Sequence, residues 1–275
     1  MARVLIVGGD GQIGKALGPV LQAAGQQVVA TTRKRKWRRQ RLDLAQLTGD
    51  PTEGFDSVVI AAAVTGRAAC ADDPAKAALV NVEAPVQLAE KALAHGGQVV
   101  FLSTHIVLGG DEPRLRTDAP YAPCDIYSEQ KAQAEQRLLA LPGAEQGLAI
   151  LRPTKVLDRS GGTIGGWVKA MRERRGIDAF TDLMMAPVHT SDVCSRIADL
   201  IAARSSGIYH VSGWPEISFA DFAIRLAPGL GWKLPLIRRK AGRPINPIAA
   251  ATPPHASLSC ENPISTDSVV QALAR

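Results

Sequence analysis

Three glycines, Gly8, Gly11 and Gly14, follow directly on an apolar run at residues 4–7. Apolar residues then recur at helical spacing at Ile13, Ala16, Leu17, Val20 and Leu21. A strand that passes into a helix through G-x-x-G-x-x-G limits the fold more than any other feature of this chain. Glycine lets the backbone turn tightly and lets it approach closely whatever lies in front of the turn. The free N–H groups of the helix start, together with the helix dipole, favour an anion there. Such a turn can merely close a fold or can cradle the pyrophosphate of a dinucleotide. Its position between a strand and a helix predicts the cradle, with Gly8, Gly11, Gln12, Ile13 and Gly14 around the cofactor.

The alternation continues. Strands are expected at residues 3–7, 27–31, 57–62, 98–103 and 148–152, with helical stretches at 75–94 and 126–140 between them. Pro85 should bend the first of these helices. After Arg152 come four glycines between 161 and 166, a helix near 167–174, a helix at 190–202 and a strand at 207–211. Seven prolines between 228 and 263 predict a loop-rich terminal region. The expected fold class is therefore α/β, a Rossmann-type doubly wound parallel sheet with a smaller, loop-rich C-terminal substrate lobe. The dinucleotide-binding domain would span residues 1–157, rejoined by about 183–213, and the lobe 158–182 and 214–275.

Composition excludes several classes. The longest early apolar run is too short for a secretory signal, and no stretch approaches the ~18 apolar residues of a membrane span, so a soluble cytoplasmic protein is expected. Cys70, Cys124, Cys194 and Cys260 are widely spaced, without a C-x-x-C pair or a histidine pattern, which predicts reduced structural thiols and no metal site. The net charge of +6 suggests nucleic acid at first sight. Seven of the 32 basic residues, however, fall between Arg33 and Arg41, leaving 25 against 26 acidic residues elsewhere. The excess is local, and no nucleic-acid or membrane partner is expected.

That basic run begins where the second strand ends, the place at which an acid hydrogen-bonds the ribose 2′-hydroxyl of NAD. Here Thr32 and Arg33 occupy it, and a guanidinium pairs bidentately with a 2′-phosphate. NADP(H) is therefore expected over NAD(H). Lys36, Arg38, Arg39 and Arg41 are better read as a solvated loop. Farther on, Tyr127 and Lys131 form Y-x-x-x-K, a pair that a helix sets on one face. A nearby ammonium stabilises a phenolate and so makes tyrosine usable for proton transfer near neutral pH. Thr104, just past the strand at 98–103, would sit at the C-terminal strand ends where open α/β sheets bind ligands. It could cap a turn or hydrogen-bond a substrate carbonyl; with Tyr127 and Lys131 it completes a plausible catalytic set.

These residues resemble the extended short-chain dehydrogenase/reductases, and within them the dTDP-4-dehydrorhamnose reductase branch. The resemblance runs through Gly8–Gly14, Asp43-Leu44, Ala61-Ala62-Ala63 with Thr65, Asn81-Val82-Glu83, Leu102-Ser103-Thr104, Tyr127–Lys131 and Leu151-Arg152-Pro153. It implies adenine contacts from Asp43 and Leu44, a cofactor wall at Ala61, Ala62, Ala63 and Pro153, and a ribose contact from Lys131. It also implies substrate contacts from Thr65, Thr104, His105, Tyr127 and Lys155, a nucleotide-sugar substrate of the 4-keto-6-deoxy type, and a homodimer as an assembly to look for. The implied reaction is hydride transfer to a carbonyl, with Tyr127 protonating its oxygen.

Some positions depart from the family pattern. His105-Ile106 stands where the family has an acid and an aromatic, and Lys155 where it has a tryptophan; Thr252-Pro253 replaces Arg-Pro. A dehydratase would need an acid pair after Thr104, and an epimerase usually an acid after the second strand, so reduction is favoured over both. A non-catalytic dinucleotide-binding regulatory subunit is the alternative from a different class. Lys155 with Arg172, Arg174 and Arg175 suggests an anionic substrate, although the three arginines equally suit a solvated helix face.

Overall fold

The computed structural model describes residues 1–33, 40–244 and 252–275. Lys36, Arg38 and Arg39, named above in the basic run, lie outside the described residues, as do Lys34 and Arg35 of the same run. Seven strands make the central sheet: β1 (Arg3–Val7), β2 (Gln27–Thr32), β3 (Gln40–Arg41), β4 (Ser57–Ile60), β5 (Gln98–Leu102), β6 (Leu148–Pro153) and, after four short strands described below, β11 (Gly207–Val211). Their order is β11-β6-β5-β4-β1-β2-β3 and every pairing is parallel. Val4 aligns with both Val28 and Ser57, so β1 lies between β2 and β4, and the crossover between its two sides opens beside the glycine turn.

Two apolar clusters cover the faces of this sheet. On one face Leu5, Val58, Val99 and Ile150 pack against α4 (Ala84–Ala94) and α5 (Ile126–Leu139) through Leu88, Ala92, Ala134 and Leu138. On the other, Val4, Ile6, Val100 and Leu151 meet α1 (Gln12–Ala23) and α8 (Thr190–Ala202) through Leu17, Leu21, Val193, Ile197 and Leu200. Strands buried on both sides read as unbroken apolar runs, which is why 4–7 and 57–60 lack alternation.

A third cluster lies apart from the sheet. It is built from α7 (Gly162–Arg172), α9 (Phe219–Leu226) and the C-terminal helix Thr266–Ala274, with Trp167, Phe222 and Leu273 buried in it. Around it run the short pairs β7 (Lys155–Leu157) with β10 (Pro187–His189), β9 (Met184–Met185) with β13 (Ile217–Ser218), and β8 (Ile177–Phe180) with β14 (Ile237–Lys240). These two- to four-residue strands are too brief to announce themselves by period.

Several expected boundaries shift. The strands expected at 57–62 and 98–103 end at Ile60 and Leu102; Ala61 and Ala62 go on to line a groove, whereas Ser103 stays buried with its N–H on the Leu151 carbonyl at 2.8 Å. The helix expected at 167–174 begins at Gly162 and ends at Arg172. Glycine costs about 1 kcal/mol in a helix, but Ile164, Trp167, Val168 and Met171 bury one face of α7, and that packing decides. The helix expected at 75–94 is α3 (Pro74–Ala78), a π-helical turn at Leu79–Glu83, and α4. Pro85 lacks an N–H and would crowd the carbonyl four residues back, so the widened turn sits just ahead of it.

Candidate functional site: a groove at the strand ends

The glycines of the first turn do three different jobs. Gly8 has φ +99°, and a Cβ there would lie 2.7 Å from the Ala62 nitrogen, so this position makes the tight turn against β4. A Cβ on Gly14 would lie 2.3 Å from the Gly8 oxygen, so this glycine lets α1 pack on the turn and is buried behind it. Gly11 meets only the Gly8 oxygen, at 3.3 Å, and otherwise faces open space. It is also the N-cap of α1, whose first turn carries no capping side chain and no acid. The first N–H groups of α1 are thus left for an anion in front of the turn.

In front of that turn runs a groove of about 710 Å³. Gly8, Gly11, Gln12, Ile13, Thr32, Arg33, Leu44, Ala61, Ala62, Ala63 and Thr65 line it, as the sequence led one to expect, joined by Asp10, Leu42, Leu102 and Val156. Gly14, Asp43 and Pro153 are not in the lining. Asp43 instead accepts the Ala45 N–H at 3.1 Å and caps the short turn that presents Leu44. Pro153 is buried at the end of β6. Asp10 was missed although it stands inside the glycine motif; it accepts a short hydrogen bond from Thr32, beside Arg33. The walls are apolar alanine and leucine with polar groups concentrated at the glycine end, a chemistry that fits a dinucleotide. Another groove, of about 840 Å³, follows the β11 edge past Arg196 and His210; Thr104, Tyr127 and Lys131 are in the lining of neither groove.

At its inner end the groove reaches Leu102, and there Lys131 is tethered: its Nζ donates to the Leu102 carbonyl at 2.7 Å and lies 3.6 Å from the centroid of the Phe101 ring. Burial pushes the Lys131 ammonium down to about 7, opposed by the charge of Glu135 one helical turn away. Tyr127 occupies the first turn of the same helix, which Asp125 starts: its carboxylate accepts the Ser128 N–H at 2.8 Å, and Ser128 bonds back to the cap. Arg67 holds this cap from outside, with Nε 2.6 Å from Asp125 Oδ2; that oxygen has no aligned hydrogen bond, so the contact is an ion pair. Burial, with Cys70 and Asp125 beside it, raises the Tyr127 phenol above its ordinary value. Among the described residues no hydrogen bond joins Tyr127 to Lys131, contrary to what a paired tyrosine and lysine suggests; Lys131 is occupied by Leu102. Thr104 starts the short turn His105–Leu108 and is partly exposed, without a capping bond from its side chain.

Beneath Lys131 and Thr104 lies a polar cluster that sequence patterning did not mark. Glu135 accepts from Arg152 (Nη2 at 2.6 Å, Nε at 3.0 Å), from the Tyr121 hydroxyl at 3.0 Å and, by a short bond, from Ser103. Asn81 performs a similar service nearby, fixing both backbone groups of Val64, N–H at 2.8 Å and C=O at 3.1 Å, and Gln130 of α5 at 2.9 Å. These contacts join elements far apart in the chain and have no local signature. Arg172, Arg174 and Arg175 are exposed and line neither groove, and Arg175 pairs with Glu173. They form the solvated face that was one of their two readings.

No helix among the described residues is long and apolar enough to cross a membrane. Comparison with known proteins agrees with this architecture. The spore coat polysaccharide biosynthesis protein SpsK of Bacillus subtilis is 28% identical over 225 residues, covering 81% of this chain and 77% of that protein. A dTDP-4-dehydrorhamnose reductase of Aggregatibacter actinomycetemcomitans is 28% identical over 242 residues, 82% and 78% of the two chains. Among solved structures, a dTDP-4-dehydrorhamnose reductase from Bacillus anthracis in complex with NADP superposes with a TM-score of 0.85 at 21% identity, covering 99% of this chain and 98% of that one. The family model of the RmlD substrate binding domain matches residues 2–271. With the parallel sheet, the glycine turn and a match over nearly the whole length, the chain belongs to the RmlD substrate binding domain family, within the extended short-chain dehydrogenase/reductases, and is an oxidoreductase of that type.

Proposed function

We propose that the protein is an NADPH-dependent reductase of a carbonyl on a nucleotide-activated sugar, of the 4-keto type. The observation that carries this reading is Leu102, which lines a groove suited to a dinucleotide and whose carbonyl holds the buried Lys131, with Thr104 and Tyr127 on the adjoining segments. When bound, the nicotinamide supplies a hydride. Tyr127 then serves as the acid: burial raises its phenol above its ordinary value, so a cation beside the phenolate is needed for it to give its proton to a carbonyl oxygen gaining charge. Thr104 donates a hydrogen bond to that oxygen, and Lys131, released from Leu102, steadies the phenolate and holds the ribose. Asp125 and Arg67 fix the start of α5, and so the position of Tyr127. In this reading the third apolar cluster, around α7 and α9, belongs to the substrate lobe that was expected at 158–182 and 214–275.

The test is a turnover screen of dTDP-, UDP-, GDP- and CDP-linked 4-keto sugars with NADPH. Consumption with at least one of them is expected. A protein that binds NADPH and reduces nothing in the panel is instead the regulatory subunit.

Cofactor choice is a separate prediction. Arg33 lies exposed at the groove edge beside Thr32, where the end of β2 itself carries no acid and the nearby Asp10 carboxylate is engaged by Thr32. Charge-assisted contacts to a phosphate contribute roughly 1.5–3 kcal/mol. Arg33→Ser should therefore cut the preference for NADPH over NADH by about tenfold or more, read from the two dissociation constants. Equal affinities in the parent would remove the claim.

A further inference from the structure

Lys155 opens β7 and is only partly exposed. Its backbone N–H is taken by the Ala186 carbonyl at 3.2 Å, but its ammonium has neither a hydrogen bond nor an ion pair among the described residues; the Phe219 ring centroid lies 5.6 Å from Nζ. The charges around it are of its own sign. Arg67 stands close enough to depress it further, after burial, and Lys155 in turn depresses His105. The two acids of this neighbourhood are spoken for. Asp125 caps α5 and pairs with Arg67, while Glu216 accepts the N–H groups of Ala256 and Ser257, at 2.8 and 2.6 Å, and faces His255 at 3.0 Å. The undescribed residues 34–39 and 245–251 contain no Asp or Glu, so the chain has no further acid to offer from them.

His105 adds a second unmet group. It is held neutral, at about 4, by burial, and the Pro153 carbonyl lies beside the ring. Its Nδ1 is enclosed and has no hydrogen-bond partner. An imidazole that gives its one N–H to a carbonyl leaves the other nitrogen as an acceptor, which a hydroxyl would satisfy. His105 follows Thr104 directly, and Lys155 stands on β7 next to Val156, which lines the groove; successive strand residues face opposite ways, so Lys155 turns from the groove toward Phe219. A confined ammonium among cations is costly until an anion reaches it.

We propose that Lys155 and His105 form a subsite for a carboxylate-bearing, hydroxylated sugar ring, so that the substrate is an acidic nucleotide sugar, in place of the uncharged sugar of the family pattern. The inference rests on the nucleotide-sugar reading above. A carboxylate accepts from Lys155, a neighbouring hydroxyl donates to His105 Nδ1, and Arg67 adds attraction at longer range.

The experiment is calorimetric titration of the NADP⁺-loaded protein with UDP- and dTDP-linked glucuronic acid, the matching glucose compounds, and UDP and dTDP alone. The glucuronic acid compound should bind about tenfold or more tightly than its glucose counterpart. Lys155→Met should bring that ratio close to one through loss of the acid's affinity, whereas Lys155→Arg should largely keep it. Removing an unpaired ammonium should not lower the melting temperature, which guards against a misfolded variant. Equal affinity of acid and glucose compounds for the parent overturns the acidic subsite and leaves the nucleotide-sugar reading standing. A uniform loss in Lys155→Met, bare nucleotides included, assigns Lys155 to the diphosphate and overturns it as well. If no nucleotide sugar binds, both readings fall together.

Discussion

Tyr127→Phe is expected to lower turnover by about 10²–10⁴-fold while melting temperature and NADPH affinity stay near those of the parent. The ring, which is the part of this side chain that packs, is unchanged. The hydroxyl makes no hydrogen bond to any described residue, so its loss orphans nothing in the fold. What disappears is the phenolic proton that the proposed reaction delivers to the carbonyl oxygen. Lys131→Met should act differently. It removes a buried ammonium bound to the Leu102 carbonyl at 2.7 Å, so both turnover and cofactor affinity should fall. Thr104→Val should reduce turnover with little change in NADPH binding. The measurements are NADPH oxidation with the substrate found in the screen, and cofactor titration of each variant. Full turnover by Tyr127→Phe would rule out the proposed acid.

The parts of this architecture that obey local rules were legible in the amino-acid order. The helix at 190–202 and the strand at 207–211 have the expected bounds, because each carries its own periodicity and its own stops. The glycine turn was equally plain, although spacing alone did not distinguish Gly14, which serves packing, from Gly11, which faces the groove. Less could be seen where a residue's surroundings come from distant segments. Nothing near Arg67 announces Asp125, 58 positions later, as its partner. The tether from Lys131 to Leu102 crosses from a helix to a strand end and depends on how α5 settles on the sheet. Y-x-x-x-K located both residues without revealing that they are not joined.

The same dependence on distant segments makes the buried cluster at Glu135 the most fragile part of the fold. Glu135 and Arg152 are 0% and 1% exposed, and four groups converge on the carboxylate if the Arg152 Nε and Nη2 are counted with Tyr121 and Ser103. Glu135→Ala leaves the guanidinium in place without its counter-charge and strands two hydroxyls. Breaking a buried pair from one side costs about 3–5 kcal/mol. In a chain of this size that corresponds to a fall in melting temperature on the order of 10 °C. Replacing both charges, with Glu135→Leu and Arg152→Met, should recover a large part of the loss, since the penalty belongs to the unpaired charge and not to the absence of the bridge. The remaining deficit should reflect the Tyr121 and Ser103 hydroxyls, so adding Tyr121→Phe should narrow it further. Thermal melts of the single, double and triple variants order these contributions. A double variant no more stable than Glu135→Ala would mean that the cluster stabilises by shape and hydrogen bonding, not by charge. The cluster also bears on the reaction, because Glu135 supports the charge of Lys131 and Ser103 precedes Thr104. In the double variant, therefore, turnover should stay depressed even where the melting temperature returns.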